Sequence, residues 1–259
     1  MYVSSSGVPI FDNGVVSGFR GSDYDITTLK NIDKAKNEFI NTVSHEMRTP
    51  LTVIKEASGI LGMGELSQEQ KEVLKISKNN IDRLSRIIND VLDYQKLQAK
   101  KVELVYEEVD LKEFFAEIIS AHKPLVEKKG LIISSSFHTG NTVLLTDGDK
   151  LYEVMGNLIN NAIKYTDEGS IKIVVKDKIF TNSIVIQVID TGVGIPKKEL
   201  PKLFKAFSQT SGVNSRKTGS TGLGLVICKE IVELFGGTIT VNSSVVLGTT
   251  FSVELPQKK

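Results

Sequence analysis

The chain has 259 residues, of which 40% are hydrophobic and 24% charged, an ordinary composition for one or two folded domains and one that excludes a largely disordered chain. A net charge of +1 provides no field to hold nucleic acid or an anionic membrane, and no run approaches the ~18 consecutive apolar residues of a spanning helix. The one cysteine, Cys228, excludes an internal disulfide and fits a cytoplasmic, reducing setting; no signal peptide is read after Met1, and the chain looks like a piece of a longer protein that is free to carry a membrane anchor elsewhere.

Residues 1–27 open the chain with two short strands, Val8 to Phe11 and Val15 to Arg20, around an Asp12-Asn13-Gly14 turn, the strongest short hairpin signal. From Ile26 the pattern turns helical: Leu29, Ile32, Ala35 and Phe39 lead without a breaker into Ile40, Val43, Met47, Leu51 and Ile54, one apolar stripe at steps of three and four. His45 lies two residues from both Val43 and Met47, about 160 to 200° round the helix from each, and is therefore expected to face water or a partner. Glu46 sits beside it and Thr49 shares its face one turn on. Pro50 has no N–H for the carbonyl of Glu46, so a kink is expected next to the histidine. The helix is predicted to end near Gly59, with Gly59, Gly62 and Gly64 forming a flexible link. Ser67 and Gln70 then make a capping box for a second helix reaching about Leu97. Its apolar positions, Leu74, Ile81, Leu84, Ile87, Ile88 and Val91, cover more than a narrow seam. A lone hairpin over residues 28–99 cannot bury all of this. A homodimer that pairs two hairpins into a four-helix bundle can.

Residues 100–259 read as a mixed α and β domain. The pattern predicts a strand Glu103 to Tyr106, a helix Leu111 to Lys128 stopped by Gly130, a strand Leu131 to Phe137 and a helix Asp149 to Tyr165. Strands Ile171 to Val175 and Ile184 to Ile189 follow, then a helix Leu223 to Phe235 and strands Thr238 to Val241 and Thr250 to Leu255. Between Ile195 and Thr221 lies a long segment rich in Lys, Ser, Gly and Thr, of the kind that serves as a lid.

Three groups in this domain carry chemistry. Asn157 and Asn161 are one helical turn apart and Lys164 is three residues beyond, so two amides and an ammonium share a face. An amide oxygen is a hard ligand suited to Mg²⁺, and lysine neutralises a phosphate; a solvated helix face is the plainer reading of the same spacing. Asp190 ends a buried-type strand and is followed by Thr191-Gly192-Val193-Gly194, an acceptor for an exocyclic amine beside glycines that let backbone approach a ring. Gly219 to Leu225 is a second glycine group opening a helix, where free N–H groups and the positive dipole end suit phosphate. Gly212 to Thr218 only loosely resembles a P-loop, lacking the glycine before its lysine and following no strand.

The boxes together resemble those of sensor histidine kinases. SHEMRTPL (Ser44 to Leu51) is similar to the phosphoacceptor box, NLINNAIKYT (Asn157 to Thr166) to the N box and DTGVGI (Asp190 to Ile195) to the first glycine box. LFKAFSQ (Leu203 to Gln209) is similar to the lid's phenylalanine box and TGLGL (Thr221 to Leu225) to the second glycine box. GFRGSDYDIT (Gly18 to Thr27) resembles the closing segment of a PAS sensor domain. The resemblance implies an α+β chain: a dimerising phosphotransfer hairpin, then an α/β sandwich that binds ATP, of the histidine kinase and chaperone ATPase type. It makes His45 the phosphoacceptor and Glu46 its general base, with Thr49 orienting the water that dephosphorylates a response regulator receiver domain. Asn161 becomes the Mg²⁺ ligand. Asn157, Lys164 and Tyr165 line the nucleotide, Asp190 reads adenine with Gly192 and Gly194 beside it, and Gly222, Leu223 and Gly224 cradle phosphates. The lid departs at Lys205-Ala206, where an acidic residue and proline are frequent in the family, and Arg216 and Lys217 are candidate contacts for the γ-phosphate. His122 and His138 match no box and read as surface residues. Rival readings are an ATPase of the same fold without histidine phosphorylation, and a non-catalytic dimeric module.

Overall fold

A computed structural model describes residues 2–99, 101–208 and 221–257, with positions 29–30, 32–39 and 41 described by backbone alone. The chain divides into two compact units, Met1–Leu92 and Asp93–Lys259.

The first unit opens with β1 (Val3–Asp12) and β2 (Val15–Asp25), antiparallel from Val3↔Asp25 to Asp12↔Val15. Asn13 and Gly14 both take positive φ, 49° and 80°, the pair that matches a two-residue hairpin turn to strand twist. The strands run beyond the expected Val8 to Phe11 and Val15 to Arg20, because Ser4, Ser5 and Ser6 pair through backbone with Tyr24, Asp23 and Ser22, a mostly polar stretch without apolar alternation.

Helix α1 (Thr27–Leu61) continues through Pro50. On either side of the Glu46 carbonyl that Pro50 leaves without an N–H, the Thr49 hydroxyl donates to the His45 carbonyl at 3.4 Å and Thr52 to Arg48 at 3.0 Å. The helix passes Gly59 and stops at Leu61, where the N–H of Gly62 reaches the carbonyls of Ser58 and Gly59. Helix α2 (Gln68–Gln98) starts on the expected box, with Ser67 N donating to Gln70 Oε1 at 2.9 Å and Gln70 N to Ser67 Oγ at 3.2 Å.

Leu51 of α1 is buried with Ile81, Ile88 and Leu92 of α2. An ion pair of 2.8 Å, Lys55 to Asp82, and a bond of 3.2 Å from Arg48 to Asn89 tie the same two helices. Among the described side chains of α1 the buried line is Ser44, Leu51 and Ser58, seven residues apart, whereas Met47 and Ile54 of the expected stripe remain 48% and 50% exposed. Small serines let the helices meet on this line, and the wider apolar stripe lies beside it. The side chains of Leu29, Ile32, Ala35 and Phe39 lie outside the described residues.

In the second unit the strand expected over Glu103 to Tyr106 is displaced. Val105 N is held by the Asp147 carboxylate rather than by a ladder, and pairing begins only with β3 (Glu107–Asp110) against β5 (Val143–Thr146), a strand the pattern did not announce. Helix α3 (Leu111–Lys128) and strand β4 (Ile132–His138) stand near their expected bounds. Then come α4 (Gly148–Tyr165), β6 (Ser170–Lys178), β7 (Ser183–Asp190), α5 (Gly224–Leu234), β8 (Thr238–Ser244) and β9 (Gly248–Pro256).

The main sheet runs β4-β6-β7-β9-β8, parallel only between β4 and β6. Helices α3, α4 and α5 pack against it, α3 on β4, α4 on β6 and β7 and α5 on β8, with Phe115, Ile118, Leu151, Leu158 and Ile231 of the helices and Ile171, Ile173, Ile184 and Ile186 of the strands fully buried. Residues such as Lys172, Gln187 and Ser252 alternate away from that layer and stay at least partly exposed. The result is a two-layer α/β sandwich. His122 is no surface residue: it sits on the buried stripe of α3, with Nδ1 donating to the Ile118 carbonyl at 2.8 Å, while His138 is exposed as expected.

The reciprocal cap on α2 gives a first test. Ser67→Ala removes one of its two bonds and should lower the stability of the helical unit by about 1 kcal/mol in urea unfolding followed by helical circular dichroism.

Candidate functional site

Helix α4 begins where the Asp147 side chain accepts the N–H of Lys150 at 2.9 Å. Its apolar positions Val154, Met155, Leu158, Ile159 and Ala162 are buried, which leaves Asn157, Asn161 and Lys164 half-buried on another face. The Lys164 ammonium stands 5.1 Å above the Tyr165 ring. The four residues expected to work together on this helix are therefore brought together.

Strand β7 delivers Asp190, 6% exposed, to the same end of the sheet. Its Oδ1 accepts the N–H of Gly192 at 2.9 Å and of Thr249 at 3.2 Å. No hydrogen bond within the protein reaches Oδ2 among the described residues. Burial raises the carboxyl pKa above its ordinary value, against the pull of those two backbone donors. This is an acceptor held rigidly by one oxygen, with the other oxygen available to a ligand donor.

Two glycines mark where backbone approaches most closely. A Cβ on Gly192 would collide with the Tyr165 carbonyl and lie 2.9 Å from both Asp190 Oδ1 and Thr166 Oγ1. Gly194 has φ +69°, and a Cβ there would strike the Ser244 carbonyl. Val193 N donates to the Tyr165 carbonyl at 3.2 Å, so the last turn of α4 and the glycine segment after β7 are bonded directly.

The second glycine group closes the third side. Thr221 Oγ1 accepts the N–H of Leu223 at 3.1 Å, Gly222 takes φ +74° and Leu223 is buried. A Cβ on Gly224 would come 3.4 Å from Asn157 Oδ1, which puts the N-terminus of α5 beside the polar face of α4. Backbone N–H groups at that helix end suit an anion.

Of the segment between, Leu200–Lys202 form one short helical turn, and Lys205 and Phe207 are exposed. Arg216, Lys217 and the loosely P-loop-like Gly212 to Thr218 lie outside the described residues. Three contributors match none of the motifs read from the sequence. Thr249 holds Asp190 through its backbone N–H. Gly248, at φ +90°, makes room against the Asp190 carbonyl, and a glycine opening a strand is the signal that marks such an approach. Lys129 bonds the end of α4.

Among the described residues no group of three or more His, Cys, Asp or Glu could hold a metal ion. A cation here would find the amide oxygens of α4 and whatever its ligand brings. That fits Mg²⁺, which keeps several waters and binds substrate phosphates. In the other unit His45, Glu46 and Thr49 are all exposed on α1.

Residues 35–100 match the family model described as the His Kinase A (phospho-acceptor) domain, and residues 146–259 match that of the histidine kinase-, DNA gyrase B-, and HSP90-like ATPase. The chain is 32% identical to the autoinducer 2 sensor kinase/phosphatase LuxQ of Vibrio cholerae over 96% of its own length and 31% of that protein's. It spans less than half the length of the curated relatives it matches. Among solved structures, full-length ShkA in complex with AMPPNP aligns with a TM-score of 0.74 and 28% identity, covering 85% of this chain and 45% of that one. Histidine kinase ThkA in complex with the response regulator TrrA aligns with a TM-score of 0.61 and 25% identity, covering 99% and 75%. No described helix is long and apolar enough to cross a membrane.

The raised pKa of Asp190 carries a sign that can be measured. A carboxyl that ionises less readily in the folded chain than in the unfolded one lowers stability as pH climbs from the ordinary 3.8 through the raised folded value, and favours the fold below it. Asp190→Asn should therefore gain melting temperature relative to the parent between pH 4 and 7, a difference that shrinks on acidification. A variant that melts below the parent at pH 7 would contradict this.

Proposed function

We propose a reaction for a chain that belongs to the histidine kinases: the second unit binds ATP, and His45 takes its γ-phosphoryl group. The observation that carries the nucleotide half is the convergence of three elements, namely Asn157, Asn161, Lys164 and Tyr165 on α4, Asp190 with its glycines after β7, and Gly222 to Gly224 opening α5. The acceptor half is carried by an exposed histidine in the segment matched by the phospho-acceptor model.

In this reading the free Asp190 Oδ2 accepts the exocyclic N–H of adenine, and Tyr165 covers the ring. Asn157 and Lys164 approach the phosphates, as do the backbone N–H groups of Gly222, Leu223 and Gly224. Asn161 would hold Mg²⁺, which when bound neutralises phosphate charge. The Nε2 lone pair of His45 attacks the γ-phosphorus as the bond to the β-bridging oxygen breaks and ADP leaves. The imidazolium then loses its Nδ1 proton to the Glu46 carboxylate. The phosphoryl group passes to an aspartate of a response regulator receiver domain, and Thr49 orients the water that later removes it there. A structure of ThkA with a response regulator supports such a partner for this chain.

Homodimerisation through the hairpin is part of the proposal. Its support is apolar surface that one chain leaves uncovered, with Met47, Ile54, Ile76 and Leu84 each at least 40% exposed. We assign β1 and β2 to the end of a PAS domain in a longer, cytoplasmically facing protein. The support is their antiparallel pairing with no third strand beside them among the described residues.

Incubation with radiolabelled ATP and Mg²⁺ tests the reading. The parent should gain an acid-labile, alkali-stable label, because a P–N bond to protonated imidazole cleaves readily. His45→Gln should lose at least 99% of the label and bind ATP as before, and label persisting in that variant would move the acceptor elsewhere. Thr49→Ala should keep autophosphorylation within about twofold and lose regulator dephosphorylation about tenfold or more. Equal loss of both would make the threonine merely structural.

A further inference from the structure

Lys129 follows the last residue of α3 and matches no box, yet its ammonium is placed at the end of the helix that carries four of the proposed nucleotide residues. Nζ donates to the carbonyls of Ile163 at 2.8 Å, Lys164 at 3.2 Å and Thr166 at 3.1 Å, and lies 3.6 Å from the Asp167 carboxylate. An ammonium has three protons, and all three are spent on backbone oxygens. Two of those carbonyls belong to the last turn of α4, which has no helical partners for them and is the negative end of its dipole. The side chain is only 36% exposed, so these bonds are partly withdrawn from water.

The same few residues meet the glycine segment. Between the carbonyls of Lys164 and Thr166 lies that of Tyr165, which accepts Val193 N at 3.2 Å. Three successive carbonyls are thus held from two sides, by a lysine and by the chain that follows Asp190. The space over Gly192 admits no Cβ, so a shift of this turn changes the distance between Asp190 and the Asn161 and Lys164 side chains.

We infer that Lys129 is a positioning residue for the nucleotide: it touches no ligand, and it fixes the last turn of α4 against the segment that carries Asp190. The inference rests on the proposed ATP site. Its mark is selective, because a loosened site weakens nucleotide binding while leaving His45 and its proton acceptor untouched.

The test compares Lys129→Met, which keeps the stem and removes the donors, with Lys129→Arg, which keeps charge and donors, in the full chain. Lys123→Met serves as a control that removes an exposed lysine from α3, the helix that Lys129 follows. Calorimetry with ADP and Mg²⁺ should show affinity about tenfold weaker for Lys129→Met, the scale of one hydrogen bond to a charged group, and within about threefold of the parent for Lys129→Arg. In the labelling assay KM for ATP should rise by the same factor in Lys129→Met, with the rate at saturating ATP within about twofold. Should the Met variant be too unstable to isolate, Lys129→Gln takes its place in the same comparison. Parent-like ADP affinity in the folded Met or Gln variant overturns the inference, as does an equal defect in Met and Arg. A parent that binds no ADP overturns the ATP reading itself, and the two failures are thereby told apart.

Discussion

Everything in the second unit that matters for ligand chemistry depends on one close approach, that of the backbone after β7 to the carbonyl that ends α4. Val193 donates to the Tyr165 carbonyl, and Gly192 lies so near it that no side chain fits. A helix carrying amides and an ammonium is thereby locked to a strand end carrying a buried carboxylate. Neither element alone could place donors and acceptors around a ligand to better than the play of a loop. The bonds from Lys129 and from Thr249 brace the two partners of this contact from behind.

Holding Asp190 has a thermodynamic cost. A carboxylate 6% exposed beside a hydrophobic sheet would ionise more readily in water, and its two backbone donors recover only part of what burial takes away. An uncommitted oxygen in such a place is a feature that folding alone does not reward, and a site built to accept a ligand donor does. The first unit shows the converse economy. Its described core is one short cluster around Leu51 with serines above and below, and much of its apolar surface is left exposed.

Much of this was readable in the residues. The period of α4, the Ser67 to Gln70 cap and the run from Ile184 to Asp190 each have a local cause, and local causes leave local signals. Asp190 and the glycines after it could be singled out because a charged residue ending an apolar strand breaks pattern. The parts that escaped depend on distant pairing. Strand β5 exists because β3 lies beside it, and the strand expected at Glu103 gave way because Asp147 captured Val105. His122 was read as a surface residue, although it falls on the buried stripe of α3 and satisfies its own ring nitrogen within the helix. Thr249 gives its backbone N–H to a carboxylate 59 residues away, and Lys129 gives its ammonium to backbone carbonyls more than 30 residues away, pairings that no spacing can announce.

The central claim is that the last turn of α4, the segment after Asp190 and the N-terminus of α5 form one nucleotide site. Amide hydrogen exchange of the full chain with and without ADP and Mg²⁺ tests it most directly, because it reads each segment separately. The account predicts slowed exchange confined to residues 157–166, 190–195 and 222–226, with the strands β4 and β8 at the sheet edges unchanged. Protection centred on other segments at saturating ADP, or none in these three, would contradict it.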